Sequence, residues 1–354
     1  MRPKNWLEKR LKIAPHMVTQ LAKIDELRGR WQGGIRLSPH ILGRLKKSVI
    51  ITSTGASTRI EGSVMSDKEI ERFLRGLKSH PPKNRDEEEV AGYADLTGRV
   101  FDNYQTLKLT EGQILQFHKI LLQFSKKDLR HRGQYKSSDN IVVARTSDGR
   151  ERVLFRPTPP YLVKKEMDDA LIRTRDALKK GEHHPILVIC DFIFEFLAIH
   201  PFIDGNGRLS RALTNLLLLQ AGYPHIPYVS MEEIIEERLA DYYQALRTTQ
   251  AKHKTAHEDI TPWVDFMLKV LLTQSEKARA LMESEQPEKL LSASQAAIYA
   301  LFTPGTELAV ADIRKALKGK TPDVSIKQVL TRLVFLRLLE LIGQGRATRY
   351  KQTP

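Results

Sequence analysis

The sequence predicts a mainly α protein in three parts: an N-terminal helical region over 1–80, a larger helical domain over 81–282 interrupted by one β-hairpin, and a small winged helix-turn-helix over 288–354. Three observations carry this reading. Apolar residues recur at helical spacing through most of 90–281. One strand, turn and strand pattern stands alone near 141–155. Three short helical segments and two short strands then close the chain, the order of a winged helix. A chain of 354 residues with 41% hydrophobic and 28% charged residues is long enough for more than one full core and ordinary in composition for a globular protein.

The elements follow in order. Residues 1–80 are helical and basic and close at Ser79-His80-Pro81-Pro82. Asp86-Glu87-Glu88-Glu89 then loads a helix start with acids, which suits the positive end of the helix dipole and reads as a solvated face, not a metal site. Apolar faces at helical spacing predict helices over 90–104, 110–122, 161–179, 185–199, 209–220, 232–249 and 261–281. Between the second and third, Ile141-Val142-Val143-Ala144-Arg145 and Arg152-Val153-Leu154-Phe155 flank Ser147-Asp148-Gly149-Arg150, a hairpin signal; alone in a helical domain, it suits a lid or a docking edge. After Glu283-Ser284-Glu285-Gln286-Pro287 come helices over 294–302, 309–317 and 325–336, and two strands around Gly343-Gln344-Gly345.

Composition narrows the function classes. The lone cysteine, Cys190, lies in the apolar run 186–190 and reads as a buried core thiol, so no disulfide forms within the chain. The first ten residues lack the apolar core of a signal peptide, and no run approaches the ~18 apolar residues of a membrane span, so a cytoplasmic protein with no membrane partner is expected. A formal charge of +15 points to anionic partners such as nucleotides or nucleic acid.

The chemistry concentrates in His200-Pro201-Phe202-Ile203-Asp204-Gly205-Asn206-Gly207-Arg208-Leu209-Ser210-Arg211. His200 ends a buried helix where Pro201 forces the chain out. Gly205-Asn206-Gly207 turns sharply into the next helix, so several backbone N–H groups converge at a helix N-terminus, which is an anion site. Asp204 offers a hard oxygen for Mg²⁺, and Arg208 and Arg211, three apart, share a face from which to grip phosphate oxygens. A histidine of ordinary pKa ~6.5 beside that anion is placed to take a proton from an attacking hydroxyl.

This segment resembles the Fic family signature, His-Pro-Phe-x-Asp/Glu-Gly-Asn-Gly-Arg-x-x-Arg, at every specified position, and the likeness extends over roughly 50–280, including Gly133-Gln134-Tyr135 ahead of the hairpin. The resemblance implies a Fic-type helical domain that transfers AMP from ATP to a Ser, Thr or Tyr hydroxyl of a target protein. His200 is then the general base and Phe202 packs inward. Asp204 holds Mg²⁺. The Gly205–Gly207 turn with the Asn206 side chain holds the α-phosphate region, Arg208 and Arg211 take the β- and γ-phosphates, and Leu209 and Ser210 lie within the same nucleotide-binding segment. Doc-like relatives, which phosphorylate, lack the complete Gly-Asn-Gly-Arg-x-x-Arg pattern, so its presence favours AMP transfer.

Ser57-Thr58-Arg59-Ile60-Glu61-Gly62 is similar to the family's inhibitory motif, Ser/Thr-x-x-x-Glu-Gly/Asn. Ser57 and Glu61, four apart, share a helix face, and Gly62 suits the left-handed end of a helix. The implied role is a salt bridge from Glu61 to Arg211 that denies ATP its γ-phosphate contact; in some relatives this glutamate also orients water to remove AMP. The hairpin resembles the family flap, which holds a target segment as an added strand. Tyr242 and Tyr243 are similar to a Tyr-Tyr segment that meets the adenine in relatives, and Gln250 stands where some relatives have Asn, a departure at the nucleotide.

In the C-terminal module the third helix would be the recognition helix, exposing Ser325, Lys327, Gln328, Thr331 and Arg332, with Arg346, Arg349 and Lys351 on the wing. Basic residues outnumber acids there by about two to one, which suits DNA phosphates. Winged helices also dock proteins, and Leu333-Val334-Phe335-Leu336 equally suits a dimer contact, so DNA and protein partners both stay open and a homodimer is expected. The rival function is a DNA-binding regulator that senses nucleotide; His200 and Asp204 together favour an enzyme, since a sensor needs no base beside a metal ligand. A toxin needing a separate antitoxin is disfavoured by Glu61 within the same chain.

Overall fold

The computed structural model describes residues 6–34, 39–140, 142–145, 151–284, 291–303, 305–319, 321–335, 338–343, 345 and 348–352. The N-terminal helices are α1 (Pro15–Gly34), α2 (Pro39–Ile60) and α3 (Asp67–Gly76). Then come α4 (Arg85–Asn103), α5 (Glu111–Leu121), the strands β1 (Val142–Arg145) and β2 (Glu151–Phe155), and α6 (Pro160–Lys180) to α7 (Pro185–Ile199). α8 (Asn206–Gln220), α9 (Met231–Glu237), α10 (Leu239–Gln250) and α11 (Thr261–Ser284) follow. The chain forms two compact units, Met1–Gly29 with Lys46–Lys277, and Arg30–Leu45 with Ala278–Pro354; residues 46–80 thus pack within the first. Among the described residues no helix is long and apolar enough to cross a membrane.

In the first unit, α7 is buried from Ile186 to Ile199. Its polar positions Asp191 and Glu195 are kept in the interior by Arg10, which pairs with Glu195 and lies 3.1 Å from both Asp191 and Glu258. Buried charges persist only when matched in this way. Against α7 run α6 and α8, and α4 packs on α5 so closely that a Cβ on Gly92 would lie 1.9 Å from the Leu121 carbonyl oxygen. Backbone cannot yield there, so Gly92→Ala is expected to lower stability by about 1–3 kcal/mol through overpacking. An unchanged denaturation midpoint would contradict this close approach.

Two helices differ from expectation. α8 begins at Asn206, three residues before the expected 209, because Gly205 takes the left-handed N-cap at φ 79° and frees the rest of the glycine turn to be helical. The periodic stretch 232–249 is two helices, broken at Arg238 (φ −120°, ψ 34°), whose N–H turns back to the Ile235 carbonyl at 3.1 Å. β1 and β2 pair antiparallel, with Val143 opposite Val153 and an irregularity at Val142; the expected turn at Ser147–Arg150 and the first strand's Ile141 lie outside the described residues.

The second unit holds α12 (Ala293–Tyr299), β3 (Glu307–Leu308), α13 (Val310–Ala316), α14 (Asp323–Phe335), β4 (Leu339–Ile342) and β5 (Arg349–Gln352). Its sheet has three strands in the order β3-β5-β4, all antiparallel, where the sequence reading had two. β3 is only two residues long, too short to leave a period. Ile298, Phe302, Ile313, Ile326, Leu330, Leu333 and Tyr350 form the core. Leu333, read above as open to a dimer contact, is wholly inside that core and Val334 packs against it. Lys327, Gln328, Thr331 and Arg332 are exposed on α14 while Ser325 is half-buried; Arg346 and Leu336 fall outside the described residues.

Candidate active site

The site forms where α7 hands the chain to α8. His200 caps α7 in the left-handed conformation (φ 51°, ψ 61°), its N–H bonded to the Phe196 carbonyl at 2.9 Å. Such a backbone costs a non-glycine residue on the order of 1 kcal/mol and persists only where its surroundings fix it. Phe202, fully buried, supplies one anchor by stacking on His118 with ring centroids 3.8 Å apart. Asn206 supplies another: Phe202 N–H donates to its Oδ1 at 3.0 Å and its Nδ2 donates to the Phe202 carbonyl at 2.8 Å. The Asn206 side chain therefore closes the loop through its Oδ1 and one of its two Nδ2 hydrogens.

At the start of α8 the N–H groups of Asn206, Gly207 and Arg208 have no carbonyl within the helix to meet, and they face outward as an anion site. Their neighbours divide sharply. Leu209 is wholly in the core, and the Ser210 hydroxyl donates to the Gly207 carbonyl at 2.7 Å. Arg208 is buried between Glu89 and Asp204, each 3.0 Å from its guanidinium. Arg211, also buried, donates to the Ser57 hydroxyl (2.8 Å), the Ser57 carbonyl (2.9 Å) and the Glu61 carboxylate (2.8 Å). Glu61 Oε1 lies 2.2 Å from where a Cβ on Gly207 would stand. A carboxylate thus rests on the very turn that would receive an anion.

The His200 imidazole is driven down to about 4, chiefly by burial, with the Lys136 charge adding to it against the Leu197 carbonyl, Glu61 and Asp204. It is neutral at pH 7. Nδ1 sits 3.4 Å from the Leu197 carbonyl, so the ring proton belongs there and Nε2 is left as the acceptor. Asp204 is pushed up by burial but pulled down further by Arg208, the Gly205 N–H and Arg85, so it is an ionised carboxylate. Its Oδ1 receives the Gly205 N–H at 2.5 Å and its Oδ2 receives Arg85 at 3.1 Å. One ionised, half-buried carboxylate beside a phosphate-type turn fits Mg²⁺, which binds through one or two carboxylates and completes its shell with water and phosphate oxygens. Elsewhere, ligand atoms of Glu195, His253 and Glu258 lie within 4.8 Å of one another, but the cation those carboxylates serve is Arg10.

The two tyrosines part company. Tyr242 is buried, with its ring against Trp263 and Phe266 at 5.8 Å each, and packs as core. Tyr243 is 37% exposed and its hydroxyl donates to the Ile60 carbonyl at 3.2 Å, which leaves it as the ring of the pair with a free face.

Sequence reasoning missed two supports. His118 is fully buried beneath the loop: its Nδ1 accepts the Gly133 N–H at 2.8 Å, and its Nε2 donates to the Asp204 carbonyl at 3.1 Å. The available signal was a histidine on the apolar face of a helix, between Phe117 and Leu121. Glu89, read as part of a solvated acid run, is buried and pairs with Arg208 and Arg85. Burial also lowers His118, His200 and His225 to about 4 each. Between about 4 and the ordinary 6.5 the unfolded chain binds protons that the folded chain refuses, so stability falls as pH drops through that window. Thermal melts at pH 7 and pH 4.5 check this; equal midpoints would contradict it.

Fold and site together define a mainly helical protein built around an anion-receptive loop with a neutral histidine on one side and a buried arginine on the other. Residues 108–218 match the Fic/DOC family profile. Over 251 residues the chain is 28% identical to the protein adenylyltransferase Fic of Drosophila willistoni, covering 70% of this chain and 45% of that protein. The chain thus spans less than half the length of this relative. A Fic family protein from Desulfovibrio desulfuricans G20 superposes with a TM-score of 0.64 at 26% identity, covering 97% of both chains. The fold of a Fic-domain signalling protein from Bacteroides thetaiotaomicron is also similar, with a TM-score of 0.62 at 21% identity over 75% of this chain and 98% of that one. The chain is thus similar to Fic/DOC family proteins over 108–218 and, more distantly along its length, to an adenylyltransferase named Fic.

Proposed function

We propose that this protein transfers AMP from ATP to a Ser, Thr or Tyr hydroxyl of a protein and that Glu61 holds it inactive. The observation that carries the reading is the Glu61 carboxylate lying on Gly207 and Arg211, in the place of an anion. When ATP takes that place, the α8 N–H groups and Arg211 meet its phosphates. His200 Nε2 takes the proton of the target hydroxyl, the hydroxyl oxygen bonds to the α-phosphorus, and the bond to the leaving pyrophosphate breaks. Positioning and charge stabilisation supply most of the acceleration. Asp204 would hold Mg²⁺, which neutralises phosphate charge when bound. The β1–β2 hairpin offers an edge on which a target segment adds as a strand. Glu61, above the same turn, is also placed to orient water for removal of AMP.

The test incubates a Glu61→Gly variant with α-labelled ATP and Mg²⁺, alone and with cell lysate. Label on protein is expected. Absence of label in both mixtures contradicts the activity.

In the second unit, exposed Lys327, Gln328, Thr331 and Arg332 on α14 favour a winged-helix contact with DNA phosphates. Replacing Lys327 with alanine is then expected to reduce the log–log salt slope of binding by about 1. If instead binding to mixed DNA fragments is insensitive to salt, and deleting 288–354 changes the oligomeric state, the unit docks protein.

A further inference from the structure

We propose that Lys136 and Asn140 are positioning residues for His200, holding its strained backbone and keeping a positive charge against its ring. The inference rests on the reading of His200 as the base. Lys136 is buried, yet its ammonium meets neutral acceptors: Asn140 Oδ1 at 2.6 Å and the Ile199 carbonyl at 3.4 Å. Its own N–H donates to the Pro201 carbonyl at 2.9 Å, and Asn140 Nδ2 donates to the Phe202 carbonyl at 3.0 Å. The turn 136–140 therefore grips the carbonyl of the peptide that enters His200 and the carbonyls of Pro201 and Phe202 after it, and so tethers the chain on both sides of the left-handed residue.

A buried ammonium is costly, and neutral acceptors would serve a neutral side chain as well. The charge has a use beside His200. Lys136 Nζ lies 3.4 Å from the carbonyl of Ile199, the residue before His200, and three charges act on the imidazole: Lys136 from the turn, Glu61 from the end of α2 and Asp204 from its own loop. Glu61 and Asp204 favour the imidazolium; Lys136 opposes it, and burial opposes it more. Lys136 is itself lowered by burial to about 8, against the pull of Asp139 and Glu166, and stays cationic at neutral pH. Because the turn leads directly into β1, the hairpin and the base share one brace.

The test uses Lys136→Met, Lys136→Arg and Asn140→Ala, each in the Glu61→Gly chain. Lys136→Met is expected to lower kcat about ten-fold or more, leave KM for ATP unchanged, and move the acid limb of the pH profile upward; Lys136→Arg restores the limb. The His200 imidazole midpoint, followed by NMR and assigned with His200→Ala, moves upward in Lys136→Met. Asn140→Ala lowers kcat without moving the limb and carries the test if Lys136→Met does not fold. Unchanged kcat in the folded variants, or an unmoved His200 midpoint in Lys136→Met, overturns the proposal. A Glu61→Gly parent with no transfer refutes the function instead, and the NMR midpoint still decides the electrostatic claim.

Discussion

Replacing His200 with alanine in the Glu61→Gly chain is expected to reduce AMP transfer by on the order of 10²–10⁴-fold, the span that a positioned general base contributes. ATP should bind with nearly unchanged affinity, because the anion site consists of the α8 N–H groups and Arg211, and Phe202 and Asn206 close the loop without the imidazole. The alanine also removes part of the reason for the left-handed backbone, so a melt is needed beside the assay. Titration calorimetry gives the affinity and single-turnover labelling gives the rate. A variant that labels as fast as its parent removes His200 from the mechanism.

The second large effect is release of inhibition. Glu61→Gly is expected to raise labelling, including self-labelling, about ten-fold or more over the natural sequence. A charged hydrogen bond such as Glu61 to Arg211 is worth roughly 1.5–3 kcal/mol, and about 1.4 kcal/mol corresponds to a factor of ten. The Glu61 side chain is 35% exposed, so solvent screening places the effect toward the lower end. Ser57 keeps Arg211 in place after the change, since its hydroxyl and carbonyl both accept from that guanidinium. Equal labelling by the two forms would end the claim of autoinhibition, whatever the activity.

The sequence made much of this site legible because the determinants are local. His200 to Arg211 is one helix end, one turn and one helix start, and local chemistry dictates such a segment: Pro201 ends α7 and Gly205 supplies the left-handed cap of α8. The pairing of Glu61 with Arg211, 150 positions apart, was reached through resemblance alone. What stayed hidden depends on tertiary neighbours. Asp191 and Glu195 inside α7 give no hint of Arg10, Glu89 reads like its half-buried acidic neighbours, and nothing in the spacing of Asn206 announces its two bonds to Phe202. Tyr242 and Tyr243 are adjacent and chemically identical, so only packing against Trp263 and Phe266 tells the buried ring from the exposed one. The two-residue β3 leaves no period to read and is defined by its pairing with β5.

Intact-mass spectrometry of the Glu61→Gly chain after incubation with ATP and Mg²⁺ tests the central claim most directly, because it weighs what was transferred without a knowledge of the target. The expected result is a gain of one or more AMP groups on the chain itself, lost when His200 is also changed to alanine. A gain of phosphate alone, or a gain of AMP that persists without His200, would contradict it.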